Sequence, residues 1–169
     1  IEGLSDLSTA DLTAVGDVTV VLDKASSMVR TPKGSVPVTS PEKLVLQQPG
    51  PVNDRVLLAG PDQYLWAPLG GGAATVAANA AGAGTPAAPV YLDSCAYLAW
   101  GGSGAYVRDC ANDADDLRRN VEKIKASSQL AFRVNRSVVV LNDLAAGTVW
   151  LVNADMLVVD NWDQIDAAA

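Results

Sequence analysis

Short apolar runs, broken every few positions by Gly, Pro, Asp or Asn, set the rhythm of this chain. The first strand signal spans Leu12 to Leu22, where Val18, Val20 and Leu22 alternate with Asp17, Thr19 and Val21. Asp23 to Ser27 turns the chain into Met28-Val29-Arg30, and Thr31-Pro32-Lys33-Gly34 turns it again into Ser35 to Val38. A second unit runs from Lys43 through Gln48, turns at Pro49-Gly50-Pro51, continues as Arg55 to Ala59, turns at Gly60-Pro61-Asp62 and returns as Tyr64-Leu65-Trp66. Gly70-Gly71-Gly72 then separates a short run, Ala73 to Ala78. The last unit comprises Gln129 to Val134, Ser137 to Leu141, Thr148 to Val152 and Met156 to Asp160.

Between them, Cys95 to Trp100 and Ala105 to Cys110 flank Gly101-Gly102-Ser103-Gly104, a loop of the kind that joins antiparallel strands. If Trp100 pairs with Ala105, Tyr97 faces Arg108 and Cys95 faces Cys110. Directly opposed residues in such a pair lie roughly 4.5–5.5 Å apart at Cα, a separation a disulfide accepts, so the register predicts a Cys95–Cys110 bridge.

Four hairpins align. Val20-Val21-Leu22 leads to Met28-Val29, Val56-Leu57-Leu58 to Tyr64-Leu65-Trp66, Tyr97-Leu98-Ala99-Trp100 to Tyr106-Val107, and Val139-Val140-Leu141 to Val149-Trp150. Their return strands begin at 28, 64, 106 and 149, spacings close to the roughly 40–45 residues of a four-stranded propeller blade. The pattern predicts an all-β fold of β-propeller-like blades, with a β-sandwich as the alternative. One repeat domain is expected over 12–166, in units of about 12–40, 41–78, 89–112 and 129–162, with 1–11 a lead-in and 79–88 an Ala/Gly linker loop. One helical candidate interrupts the β pattern at Asp113 to Ala126, where the three-residue apolar stripe leaves a short helix and an ordered loop as equal alternatives. There Leu117, Val121 and Ile124 fall on one face, Asp113 can cap, and Asp115 can pair with Arg119.

Composition adds compartment and excludes partners. The 169 residues carry a net charge of −7, which argues against nucleic acid or an anionic membrane as partner. Arg118, Arg119, Lys123 and Lys125 are interrupted by Glu122 and read as a solvated face. Residues 63–92 carry no charged side chain, yet Pro68, Pro86, Pro89 and the Gly-rich segments are incompatible with a membrane-spanning helix. An oxidised cysteine pair, with no export signal at Ile1, suggests a piece of a longer exported chain. Asn135-Arg136-Ser137 matches the N-glycosylation sequon, which matters only in a host that glycosylates it.

Several longer stretches carry a family resemblance. They are Leu46-Gln47-Gln48-Pro49 with Leu69-Gly70-Gly71-Gly72, Ala87 to Cys110 with its Cys-x-x-x-x-Trp spacing, Leu130 to Asn135, Val139 to Asp143, and Asp160-Asn161-Trp162-Asp163. Together, over roughly residues 40–165, they resemble the propeller-like region of large actinobacterial envelope proteins that carry immunoglobulin-like and fibronectin type III repeats. The resemblance implies a position outside the cell, in the later part of a larger propeller, and it implies no catalytic residues. The immunoglobulin-like repeats themselves are absent from this sequence.

Candidate chemistry is sparse. The chain has no His, which removes the commonest general base and the Ser–His and Cys–His pairs. Gly101-Gly102-Ser103-Gly104-Ala105 misses the nucleophile-elbow pattern at its last position, and Gly70-Gly71-Gly72 lacks the Gly-Lys-Ser/Thr ending of a phosphate loop. Asp23, Asp62, Asp93, Asp109, Asp143 and Asp160 lie in or beside turns, where Asp hydrogen-bonds to backbone. Asp113, Asp115 and Asp116 are candidate oxygen ligands for Ca²⁺, although the segment lacks the glycine and distal Glu of an EF-hand loop. Of the four Trp, Trp66, Trp100 and Trp150 fall in predicted strands and read as core, leaving Trp162 as the candidate for stacking against a sugar.

The resulting expectation is a non-enzymatic structural or protein-interaction module of an exported bacterial surface protein, with no cofactor. Its expected partners are other domains of its own chain or further copies joined through β edges. A carbohydrate-binding domain is the alternative, and a carboxylate glycosidase the third reading.

Overall fold

The computed structural model describes residues 6–79, 81–152 and 155–159. It is all-β, arranged as antiparallel sheets that follow one another along the chain. Sheet 1 comprises β1 (Ala10–Val15), β2 (Val18–Asp23), β3 (Met28–Thr31) and β4 (Gly34–Pro37). Sheet 2 comprises β5 (Val45–Leu46), β6 (Arg55–Ala59), β7 (Gln63–Pro68) and β8 (Thr75–Ala78). In sheet 3, β9 (Thr85–Pro86) and β10 (Val90–Leu92) both pair with β11 (Cys95–Gly101), which is followed by β12 (Ala105–Cys110) and β13 (Leu117–Asn120). Sheet 4 comprises β14 (Leu130–Asn135), β15 (Val138–Asp143), β16 (Thr148–Leu151) and β17 (Leu157–Val159). Each is an up-and-down meander in which every strand but β9 pairs with the next in sequence; β9 lies against β11.

Side-chain alternation gives each sheet two faces, and the faces meet in series. Val20, Leu22, Val29 and Val36 of sheet 1 pack against Leu46, Val56, Leu58 and Leu65 of sheet 2. The opposite face of sheet 2, with Leu57, Tyr64 and Trp66, meets Ala96, Leu98, Trp100 and Val107 of sheet 3. The other side of sheet 3, with Tyr97, Ala99 and Tyr106, meets Phe132, Leu141 and Trp150 of sheet 4. Three interfaces of one kind therefore hold four sheets together, and the heaviest side chains fill the second and third. Tyr106 is fully buried in the third, and its hydroxyl has no hydrogen-bond partner among the described residues. Tyr106→Phe removes that unpaired group without opening a cavity, so thermal unfolding should show no loss of stability and a gain of up to about 1–3 kcal/mol.

The hairpin register at the cysteines is the predicted one. Cys95 lies opposite Cys110 and Tyr97 opposite Arg108, and the two cysteines form a disulfide with their Cα atoms 4.0 Å apart.

Two expectations are corrected. Of the short helix and ordered loop considered at Asp113 to Ala126, neither describes the whole segment: Asp113–Asp115 makes a single 3-10 turn, and β13 follows as a strand. The free edge of β12 takes Leu117–Asn120 as its neighbour, from Arg108↔Leu117 to Ala105↔Asn120. Leu117, Val121 and Ile124 still reach one core, but from a strand and a turn instead of a helix face. A three-residue stripe gives an isolated helix too little burial to offset its nucleation cost, whereas a ladder already in place extends without one. The single strand read over Leu12 to Leu22 is a hairpin, with β1 and β2 joined at Gly16-Asp17. Gly16 has φ of +55°, and a Cβ there would lie 2.6 Å from the Val52 side chain, so one glycine supplies both the turn and the clearance. Residues 81–88 include β9, which pairs Trp100↔Pro86 and Gly101↔Thr85.

Candidate functional site

Segment 47–50, directly after β5, is where the leading strands of the sheets converge. Gln47 accepts a hydrogen bond at its carbonyl from Thr13 Oγ1 (2.7 Å), while its side-chain Oε1 accepts from the Leu57 amide (2.9 Å). Gln48 donates from its backbone to Pro89 O (2.8 Å), and its Nε2 reaches Ala88 O (3.4 Å) and Phe132 O (3.0 Å). Gly50 donates to Ala14 O and accepts from the Gly16 amide. Three residues of this four-residue segment, Gln47, Gln48 and Gly50, thus touch β1, the entry to β10, and β14. Gln47 is 2% exposed, and its amide satisfies backbone groups that would otherwise be buried unpaired. This is a polar seam between sheets.

A second polar cluster joins sheets 2 and 3. The Tyr64 hydroxyl donates to Asp109 Oδ2 (2.8 Å) and accepts from Arg118 Nη2 (2.8 Å), and Arg118 Nη1 also donates to Ala78 O (3.3 Å). The guanidinium carbon stands 5.7 Å from the Tyr64 ring centroid. Burial, followed by the bond to Asp109, pushes the Tyr64 phenol above its ordinary value. A neutral phenol with its donor and one acceptor site engaged is a clamp between β7 and the β12–β13 pair, not a base. Beside it, Asn79, Ala81, Arg118, Arg119 and Asn120 line an open depression of about 280 Å³.

The turn carboxylates bind backbone, as expected for Asp23 and Asp143. Asp23 accepts from the Ser26 amide and hydroxyl and from Arg30 Nε. Its carboxyl is held below the ordinary value by the Ser26 hydroxyl first, against the cost of burial, with the Ser26 amide and Arg30 assisting. Asp143 accepts from Ser128 Oγ and from the amides of Gln129, Ala145 and Ala146. Burial pushes its carboxyl up, but the Ser128 bond and the three amide bonds together outweigh burial and hold it low. A depressed folded-state pKa contributes stability that is present above the unfolded value of about 3.9 and is lost as pH falls through the folded value. Asp143→Asn is therefore expected to lower the melting temperature at pH 7 and to narrow its gap to the parent chain below about pH 4. Melting curves across that range check both signs.

In the acidic segment that offered candidate oxygen ligands, two carboxylates accept internal hydrogen bonds. Asp115 Oδ2 accepts from Asn112 Nδ2 (3.1 Å), and Asp116 Oδ1 accepts from the Cys110 amide (2.7 Å). Asp113 lies in the 3-10 turn capped by Asn112. Among the described residues, no group of three or more His, Cys, Asp or Glu is placed to hold a metal ion. The disulfide borders a surface depression of about 330 Å³ whose lining includes Asp93, Ser94 and Asp115. Asp93 and Ser94 both have positive φ in the turn between β10 and β11.

Trp66, Trp100 and Trp150 are buried. Trp100 Nε1 donates to Gly60 O (2.7 Å), and Arg55 covers the Trp66 ring with its guanidinium carbon 4.6 Å from the centroid. Trp162 lies outside the described residues. The sequence pattern missed Gln48 and Arg118: amide and guanidinium side chains that bridge sheets leave no periodic trace. Among the described residues, no helix is long and apolar enough to cross a membrane. No protein-family model matches this chain, and no curated protein matches its sequence.

Proposed function

We propose that this chain is a non-enzymatic structural or protein-interaction module of an exported bacterial surface protein, built from propeller-type blades. One observation carries the reading: four meander sheets stack face to face through three successive cores, the arrangement that propeller blades share. The sheet order, in which every strand but the short β9 pairs with the next in sequence, supports blades over a sandwich, whose Greek-key connections return a strand to a distant neighbour. The disulfide supports an oxidising compartment. The polar clusters support a structural role, because Gln47, Gln48, Tyr64 and Arg118 spend their hydrogen bonds on joining sheets.

A glycan array tests this reading against the sugar-binding alternative. The expected result is no saturable binding. Saturable binding that disappears in Trp162→Ala would overturn the proposal.

A further inference from the structure

We propose that the outer edge of β8 takes up an extended segment of a partner protein as an added, antiparallel strand of sheet 2, with an acidic side chain of that segment directed to Arg118. The proposal rests on the interaction-module reading and names the chemistry of the partner. Sheet 2 ends at β8, which pairs with β7 alone. The ladder between them fixes which backbone groups are left over. The Asn79 amide donates to Asp62 O (3.0 Å), so Asp62 and Asn79 form a hydrogen-bonded pair. Such pairs alternate along the register, which makes Tyr64↔Ala77 the next one and leaves Gln63↔Ala78 and Leu65↔Val76 unbonded. Gln63 agrees, since its carbonyl accepts from the Gly60 amide on the β6 side (2.8 Å). Val76 and Ala78 therefore turn their amides and carbonyls away from β7, to the side where the sheet ends.

This edge is open. Arg118 Nη1 meets the Ala78 carbonyl (3.3 Å), but the Ala78 amide and both backbone groups of Val76 have no partner among the described residues. Val76 is 56% exposed, and Thr75-Val76-Ala77-Ala78 carries neither the charge nor the proline that commonly blocks strand addition. The two sides of the edge differ in chemistry. Val76 shares its face with Leu65, toward sheet 1, beside a depression of about 270 Å³ whose lining includes Pro37, Val38, Leu65 and Ala74. Ala77 shares its face with Tyr64, toward sheet 3. On that side the depression of about 280 Å³ is lined by Asn79, Ala81, Arg118, Arg119 and Asn120, with no carboxylate among its described lining residues, in a chain of net charge −7. The Tyr64 hydroxyl and the Ala78 carbonyl engage Nη2 and Nη1 of Arg118 once each, which leaves further N–H groups on the guanidinium for a carboxylate.

A strand added at a sheet edge alternates its side chains between the two faces, so backbone bonds hold it and the flanking depressions select it. Side chains opposite Val76 and Ala78 lie on the apolar side, and the one opposite Ala77 lies on the Arg118 side. The segment that fits reads apolar, acidic, apolar. A second copy of this chain does not offer it at the described outer strands: β4, β8, β13 and β17 contain no Asp or Glu, and β13 itself carries Arg118 and Arg119. Charge complementarity therefore points to a different protein.

Titration of the isotopically labelled 169-residue chain with the blocked peptide acetyl-Ser-Val-Glu-Val-Ser-amide, followed by backbone amide chemical shifts, tests the proposal. The expected result is a saturable shift centred on the amides of Val76 and Ala78. The same peptide with Lys in place of Glu should bind at least about 10-fold more weakly, because it sets a like charge against Arg118. A peptide N-methylated at both valines keeps every side chain and loses the donors that pair with β8, so it should not bind. No saturable shift at Val76 and Ala78 with the Glu peptide would overturn the proposal. Equal binding of the Glu and Lys peptides, or retained binding of the N-methylated one, would do the same. Shifts at Val76 that grow with protein concentration in the absence of peptide would assign the edge to a second copy and likewise overturn it. A failed titration leaves the glycan-array result untouched, so failure here is distinct from failure of the module reading.

Discussion

Replacing Cys95 and Cys110 together by serine is expected to lower the unfolding free energy by about 3 kcal/mol, the chain-entropy value for a loop of roughly 15 residues. The cysteines are 15 positions apart and directly opposed at the far end of the β11–β12 hairpin from its glycine loop. The bridge ties the two ends of the hairpin in the unfolded chain, so most of its effect comes from restricting that state. In the folded chain the ladder from Cys95↔Cys110 to Ala99↔Tyr106 remains available to the double variant. Sheet 3 also packs on both of its neighbours, so weakening it loosens two of the three cores at once. For a domain of this size, the loss corresponds to a melting temperature lower by roughly 6–12 °C. Urea unfolding of the parent with and without reductant, beside the double serine variant, checks the value. A difference below about 1 kcal/mol would show that the bridge constrains little that the strand pairing does not already fix.

Trp100→Ala is expected to cost at least about 3–5 kcal/mol, the range for emptying a fully packed aromatic site. Trp100 is 0% exposed in the core between sheets 2 and 3, where it packs with Leu57, Ala59 and Tyr64. Its indole N–H donates to the Gly60 carbonyl, at the turn between β6 and β7, across 40 positions of sequence. Truncation therefore adds an unpaired carbonyl to the cavity, a further cost of about 1–3 kcal/mol if water cannot enter. Trp100→Phe separates the two effects: it refills part of the volume and restores no donor. Denaturant unfolding should place the Phe variant between the parent and the Ala variant. Equal stability of parent and Phe variants would remove the hydrogen bond from the account.

Legibility in the sequence followed the depth of burial. The central strands β6, β7, β11, β12 and β15 carry Val, Leu, Tyr and Trp in short runs, and turn residues mark their limits. The cysteine pairing was readable because two runs of equal length flank a glycine loop, which leaves one register that opposes the cysteines. Outer strands were harder to see. β13 reads Leu-Arg-Arg-Asn, is largely exposed, and owes its existence to the edge of β12 instead of to its own composition. β9 contains a proline, tolerated because it is a short pairing at the periphery. The Gly16-Asp17 turn was hidden because a two-residue hairpin needs one glycine and no change in composition. The seam at Gln47 and Gln48 was invisible for another reason: polar side chains that pair with distant carbonyls have sequence partners up to 84 positions away. Asp23 and Asp143 were placed correctly in turns, since their partners lie within a few residues.

The central claim is that four sheets stack in series, with the middle pair packed on both faces. Amide hydrogen exchange tests it most directly, because protection follows local opening in cooperative units. The account predicts that Leu57, Leu58, Leu98 and Val107, in the middle sheets, exchange more slowly than the half-buried Val140 and Val149 of sheet 4. Protection of Val140 and Val149 equal to that of Leu57 and Leu98 would contradict it.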